Sequence, residues 1–175
     1  IREMQSERSE LERELYLQAL HKTASISLIQ YEVSNFAKAD FQSRSNLKVW
    51  DGQPYLGLGC GAHSFDGVNR WGNVRSMRKY MESVGREEPP RDFMETPTRL
   101  QQASERLMLS LRRPEGLNIL SWQEEFQIGL SLEQKNQMEK LKDQDLVSWE
   151  SPILKLTNEG MLLADAITTE LMPDT

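Results

Sequence analysis

The chain has 175 residues, 38% of them hydrophobic and 27% charged, with a formal net charge of −6. That balance suits a folded protein with one core or two small ones, excludes a disordered polyelectrolyte, and argues against nucleic acid as a partner, because phosphate binding needs a basic field. A single cysteine, Cys60, excludes an internal disulfide and any all-cysteine metal site, and fits a reducing, cytoplasmic compartment. No apolar run approaches the roughly 20 residues of a membrane-spanning helix. The Glu- and Arg-rich start does not read as a signal peptide. A first residue of Ile is expected of a fragment.

Residues 1–22 read as a helix, with Met4, Leu11, Leu15 and Leu20 near helical spacing among charged residues. Ser25 to Val33 is β-branched and loosely alternating, which predicts a strand. Helix then strand is the rhythm of an α/β unit. After Pro54 a second strand is expected over Tyr55 to Gly59, then a helix from Arg75 to Val84 packing Met77, Tyr80, Met81 and Val84. Gly85, Pro89, Pro90 and Pro97 mark an exposed connection, and the domain boundary is placed there.

The second part reads as mainly helical. Thr96 is a candidate N-cap with Pro97 at the first helical position, and Leu100, Ala103, Leu107 and Leu111 line one face. Trp122 and Phe126 share a short helix ending near Gly129, and Ser131 with Gln134 forms a capping box for a helix burying Met138 and Leu141. Leu146–Trp149 and Ile153–Leu156 flank Glu150-Ser151-Pro152 as a hairpin, and Thr157 caps a last helix whose apolar face uses Leu163, Ile167 and Leu171. Helix, helix, hairpin, helix outlines a winged-helix-like module.

Gly57, Gly59 and Gly61 let backbone approach a ligand or adopt positive φ. Gly57-x-Gly59-x-x-Ala62 formally fits a dinucleotide fingerprint but lacks the helix that must follow. A tight strand end and a ligand-facing loop both remain open. His63 closes the run; a loop histidine by itself more often makes a surface hydrogen bond than a ligand bond. Cys60 reads as a small buried hydrophobe. Trp50 and Trp71 flank the loop, where flat aromatics could stack on a macrocycle or simply pack. Asp40, Asp51 and Asp66 are expected to solvate turns. Arg70, Arg75, Arg78, Lys79, Arg86 and Arg91 make a locally basic stretch, either a solvated face or an anion-facing one. There is no nucleophile elbow, phosphate loop or other catalytic constellation.

Tyr31-Glu32-Val33-Ser34-Asn35-Phe36-Ala37 and Tyr55-Leu56-Gly57-Leu58-Gly59-Cys60-Gly61-Ala62-His63-Ser64 closely resemble two motifs of the HemW-type haem chaperones. These are radical S-adenosylmethionine proteins of the oxygen-independent coproporphyrinogen III oxidase-like family. Arg70, Trp71 and Asn73 resemble that family's Arg-x-x-Asn turn, Tyr80 a tyrosine in its next helix, and Leu156-Thr157-x-x-Gly160 a motif of its appended domain. The resemblance implies an α/β fold. The closing elements of a partial radical-SAM (β/α) barrel would occupy residues 1–88, and a mainly helical winged-helix-like domain residues 97–175.

It also implies haem or porphyrin as ligand and a haem-acceptor protein as partner, membrane-associated acceptors included, with no nucleic acid. Ser34, Asn35, Asn46, Trp50, Gly57, Gly59, Gly61 and His63 are the candidate binding residues, and none is catalytic. The family's His-Asn-x-x-Tyr-Trp stands here as Ser45-Asn46-Leu47-Lys48-Val49-Trp50, so a ligand to haem iron falls to His63, and His21 is expected to play no part. The family's 4Fe–4S cluster and S-adenosylmethionine need a three-cysteine loop in the N-terminal half of the barrel, and this chain does not carry that loop. The chain alone is therefore not expected to catalyse radical chemistry. The alternatives are a fragment of a coproporphyrinogen III oxidase-like enzyme of porphyrin biosynthesis and a winged-helix-like protein-binding module.

Overall fold

A computed structural model describes residues 2–173, with side chains from Glu10 onward. The first helix, α1 (Arg2–Ser25), matches the expected span and runs slightly further. Leu11 and Leu15 are exposed rather than buried, while Tyr16 packs on the core. The side chain of Met4 lies outside the described residues. Residues 26–28 connect α1 to β1 (Ile29–Glu32), which pairs antiparallel with β2 (Asn35–Ala37). The predicted strand over 25–33 is thus shorter, because Ser27 takes φ +62° and turns the chain.

Two compact units form. One comprises residues 1–43 and 103–175, the other residues 44–102. These bounds differ from the 1–88 and 97–175 division expected from the Pro-rich connection. The strands make three small sheets and no closed barrel among the described residues.

α4 (Arg99–Leu111) starts at the end of the second unit, and its part from Ala103 onward belongs to the first, where Ala103, Leu107 and Leu111 are buried. Its cap is Thr98, not Thr96: Gln101 N–H donates to Thr98 Oγ1 at 3.2 Å and Thr98 N–H to Gln101 Oε1 at 2.8 Å. Thr96 bonds Asn69 instead. A two-residue strand, β6 (Leu117–Asn118), leads into α5 (Ile119–Phe126), which ends at Gln127 in the left-handed region rather than at Gly129. Trp122 Nε1 donates to the Ala103 carbonyl at 3.0 Å, fixing α5 against α4. The Ser131–Gln134 capping box opens α6 (Leu132–Asp143), with Met138 and Leu141 buried. The hairpin is β7 (Val147–Glu150) and β8 (Ile153–Leu156), and β6 pairs on the other edge of β8.

Thr157 caps α7 (Asn158–Leu162), and α8 (Ala164–Leu171) follows as a separate helix. The break falls at Leu163, which is exposed, whereas Ile167 and Leu171 are buried as expected. Gly160 packs so closely on Leu146 that a Cβ there would lie 1.8 Å from the Leu146 carbonyl oxygen. One apolar cluster from α4 to α8 forms the core. Arg13 grips Glu159 with both guanidinium arms (2.7 and 2.5 Å), tying α1 to α7. That hydrogen bond and the charge of Glu159 raise the Arg13 pKa, and the same bond lowers that of Glu159.

The second unit starts with α2 (Arg44–Trp50) and contains an antiparallel sheet of β3 (His63–Phe65), β4 (Arg70–Asn73) and β5 (Arg91–Glu95). β5 occupies part of the stretch expected to be a bare connection. Between β4 and β5 runs α3 (Met77–Gly85), capped by Ser76. Met77, Met81 and Val84 are exposed, so of the four residues expected to pack only Tyr80 is partly buried. None of the buried Leu, Ile, Val, Met, Phe, Trp or Ala side chains among the described residues belongs to this unit.

Candidate functional site

The glycine segment is a loop, not the predicted strand. Of residues 55–59, Tyr55 makes a β-bridge, to Phe65. Beyond it the backbone bonds to side chains and turns. Gly57 N–H donates to Ser64 Oγ (2.9 Å), Gly59 N–H to the Tyr80 hydroxyl (3.2 Å), and Asn73 Nδ2 to the Gly59 carbonyl (2.9 Å). Gly61 N–H reaches the Val74 carbonyl (3.0 Å), and Asn73 N–H the Ala62 carbonyl (2.9 Å). Ser64 and Asn73 are buried. Buried backbone groups need partners, and here polar side chains supply several of them where a neighbouring strand is lacking.

Two glycines are required by geometry. A Cβ on Gly57 would sit 2.1 Å from the His63 carbonyl oxygen, so only hydrogen fits. Gly59 has φ +102°, a region closed to other residues in practice. Gly61 also has positive φ. The loop displays Leu56 and Leu58 outward, 70% and 81% exposed. Cys60, expected to be buried, is only half-buried.

His63 begins β3, and the register sets it in one row with Gly72 and Phe93. Its imidazole is exposed and meets the Phe93 ring edge-on, centroids 5.5 Å apart. Phe93 in turn lies across Gly72, where a Cβ would come within 2.5 Å of the ring. Trp71 has the Arg91 guanidinium 4.7 Å from its ring centroid, so one face of that aromatic is already covered. Asp66 solvates a turn as expected: Asn69 and Val68 backbone N–H groups donate to it and hold its pKa below the ordinary value.

The expected site residues thus fall in two places. Gly57, Gly59, Gly61 and His63 form one built segment of the second unit. Asn46 and Trp50 sit one turn apart on α2 of that unit, both half-buried, with Ser45 and Val49 exposed. Ser34 and Asn35 belong to the first unit, exposed at the β1–β2 turn. Reasoning from sequence missed Ser64, Asn73 and Tyr80 as the pins of the loop, although all three occur in the motifs quoted for it. It also missed Glu32, whose 1% exposed carboxylate accepts the Ser34 N–H at 3.0 Å and shapes the turn carrying Ser34 and Asn35.

No protein-family profile matches the chain. The solved structure of coproporphyrinogen III oxidase (HemN) from Escherichia coli, a radical SAM enzyme, superposes with a TM-score of 0.71 over 89% of this chain and 39% of that one, at 15% identity. Fold and motif order together define the C-terminal part of a coproporphyrinogen oxidase-like radical SAM protein. Within that class the chain is of the HemW type. It is 31% identical over 159 residues to the protein named heme chaperone HemW of Bacillus subtilis, covering 90% of this chain and 42% of that protein. The HemW of Mycobacterium tuberculosis is 31% identical over 142 residues, covering 81% and 34%. The mouse mitochondrial radical S-adenosyl methionine domain-containing protein 1 is 27% identical over 182 residues, covering 94% and 40%. The chain therefore spans less than half the length of these relatives.

Proposed function

We propose that this chain carries haem, or a related porphyrin, towards an acceptor protein in the cytoplasm, as a portion of a HemW-type protein. The observation that supports this most is the glycine loop. It spends three polar side chains on holding a short backbone segment in place, directly before an exposed imidazole. Such pre-organisation lowers the cost of binding. An imidazole is a usual axial ligand to haem iron, and the serine at position 45 is not.

Haem is cargo in this reading, and His63 beside Phe93 would hold its iron. A 4Fe–4S cluster does not fit the residues present, since the sequence has one cysteine and the cluster of this class uses three thiolates. No radical step is assigned to the chain. No described helix is long and apolar enough to cross a membrane. The test is titration of the purified chain with haemin at pH 8. The wild type should develop a Soret band that His63→Ala shifts. A wild-type chain that leaves free haemin unchanged would remove the proposal.

A further inference from the structure

His63 is exposed, and an exposed imidazole ordinarily samples several staggered rotamers. Metal-ligating histidines are usually held by a hydrogen bond to the second ring nitrogen, which removes that freedom before the metal arrives. Among the described residues no side-chain hydrogen bond or ion pair holds the His63 ring. Its neighbour is Phe93, at a centroid distance of 5.5 Å and an interplanar angle of 61°.

The contact crosses a strand. The sheet order is β3-β4-β5, and neighbouring strands lie about 4.8 Å apart, so β3 and β5 are separated by roughly 10 Å. A β5 side chain reaches β3 only if the β4 position between them is bare. The register puts Gly72 there, opposite both His63 and Phe93. A Cβ on Gly72 would lie 2.5 Å from Phe93 Cε1 and 3.2 Å from Cδ1 and Cζ, so the ring rests on the glycine itself. An aromatic side chain laid across a sheet glycine fixes the register of both strands. Phe93 is 40% exposed, so no core draws the ring to this place. The glycine beneath it and the imidazole beside it define where it lies.

We propose that Phe93 is a positioning residue. Seated over Gly72, it holds the His63 imidazole in one orientation, so that the iron of a tetrapyrrole cargo meets a ligand already placed. Phe93 belongs to none of the motifs that carry the family resemblance. The inference rests on the reading of His63 as the iron ligand and names the residue that makes an exposed histidine fit for that task. Without the ring, the imidazole regains its rotamers and loses an aromatic contact, which together correspond to about three- to tenfold weaker binding.

The experiment uses the full chain, with far-UV circular dichroism to confirm folding. His21 and His63 are the two histidines of the sequence, so proton NMR of the imidazole C–H signals reads His63 with His21 as internal reference. Phe93→Leu and Gly72→Ala should each move the His63 signals and leave those of His21 in place. Phe93→Tyr, which keeps the ring, should move neither. In haemin titration at pH 8, Phe93→Leu should weaken binding by the factor given above, and Phe93→Tyr should bind as the wild type does. Gly72→Ala should add nothing further in the Phe93→Leu background. His63 signals that stay in place in both folded variants would overturn the positioning role and leave the proposed function standing. So would wild-type affinity in Phe93→Leu while His63→Ala shifts the Soret band. A wild type that leaves haemin free would overturn the proposed function, and the role of Phe93 towards iron with it.

Discussion

Replacing Gly57 by alanine tests whether the glycine loop is held as described. The new Cβ would stand 2.1 Å from the His63 carbonyl oxygen, 2.9 Å from its carbon and 3.0 Å from the Ala62 Cβ. Ordinary carbon–oxygen contacts begin near 3.3 Å, so the loop must retreat by about 1 Å. That movement strains the 2.9 Å bond from Gly57 N–H to buried Ser64. Leaving a buried partner unsatisfied costs about 1–3 kcal/mol, and overpacking about 1–3 more. A total of at least about 2 kcal/mol corresponds to roughly a thirtyfold change in a local opening equilibrium.

Hydrogen exchange reads this directly. The amides of Gly61 and Asn73, bonded to Val74 and Ala62, should lose protection by about that factor. Two control substitutions grade the effect. Gly59→Ala meets no atom within 4 Å but is strained at φ +102°, so it should also lose protection. Gly85→Ala meets nothing within 4 Å and carries no positive φ, and should be neutral or gain up to about 1 kcal/mol. Equal protection in wild type and Gly57→Ala would show that the loop is not pinned against His63.

Gly160→Ala should destabilise the first unit by at least about 2 kcal/mol in urea titration followed by Trp122 and Trp149 fluorescence, because the Leu146 carbonyl lies 1.8 Å from the added Cβ; a change under about 0.5 kcal/mol would contradict the packing. Glu159 has its pKa lowered by Arg13, so its contribution to stability is complete above the ordinary glutamate value near 4.3 and disappears as pH falls through the lowered folded value. Glu159→Gln should therefore flatten the acid limb of a melting-temperature profile while lowering stability at neutral pH, and an unchanged profile would mean the pair is silent. Limited proteolysis should cut within residues 44–102 first and leave a resistant fragment containing α4 to α8, since the buried apolar cluster lies there; first cuts inside α6 would refute this.

The C-terminal elements were legible because their signals are local. Ser131 and Gln134 are three residues apart and form the capping box that their types imply, and the stripe Ala103, Leu107, Leu111 repeats every four residues. The second unit was harder to read. Its sheet brings together His63, Gly72 and Phe93 from three separate segments, and no local period announces such pairing. Every residue of β5 is exposed, so its sequence lacks the apolar alternation of a half-buried strand. Tyr55 to Gly59 misled in the opposite way: an apolar run looked like a strand, but Leu56 and Leu58 face solvent while the backbone bonds to Ser64, Tyr80 and Asn73. At the candidate site, the family resemblance singled out His63 and the glycines, whereas the pins of the loop needed geometry. Thr98 took the cap expected of Thr96 because both threonines flank Pro97, and only the fold decides between them.

The absence of buried aliphatic and aromatic side chains from residues 44–102 bears on affinity as well as architecture. Without a buried side chain of these kinds, this unit should open locally at a smaller free-energy cost than the first unit, its pinned loop included. Whatever binds there sees only the ordered fraction, and its apparent dissociation constant rises by the reciprocal of that fraction. Binding in turn raises the melting point of that segment as ligand concentration increases. Ligand binding and local order would then be coupled, each strengthening the other.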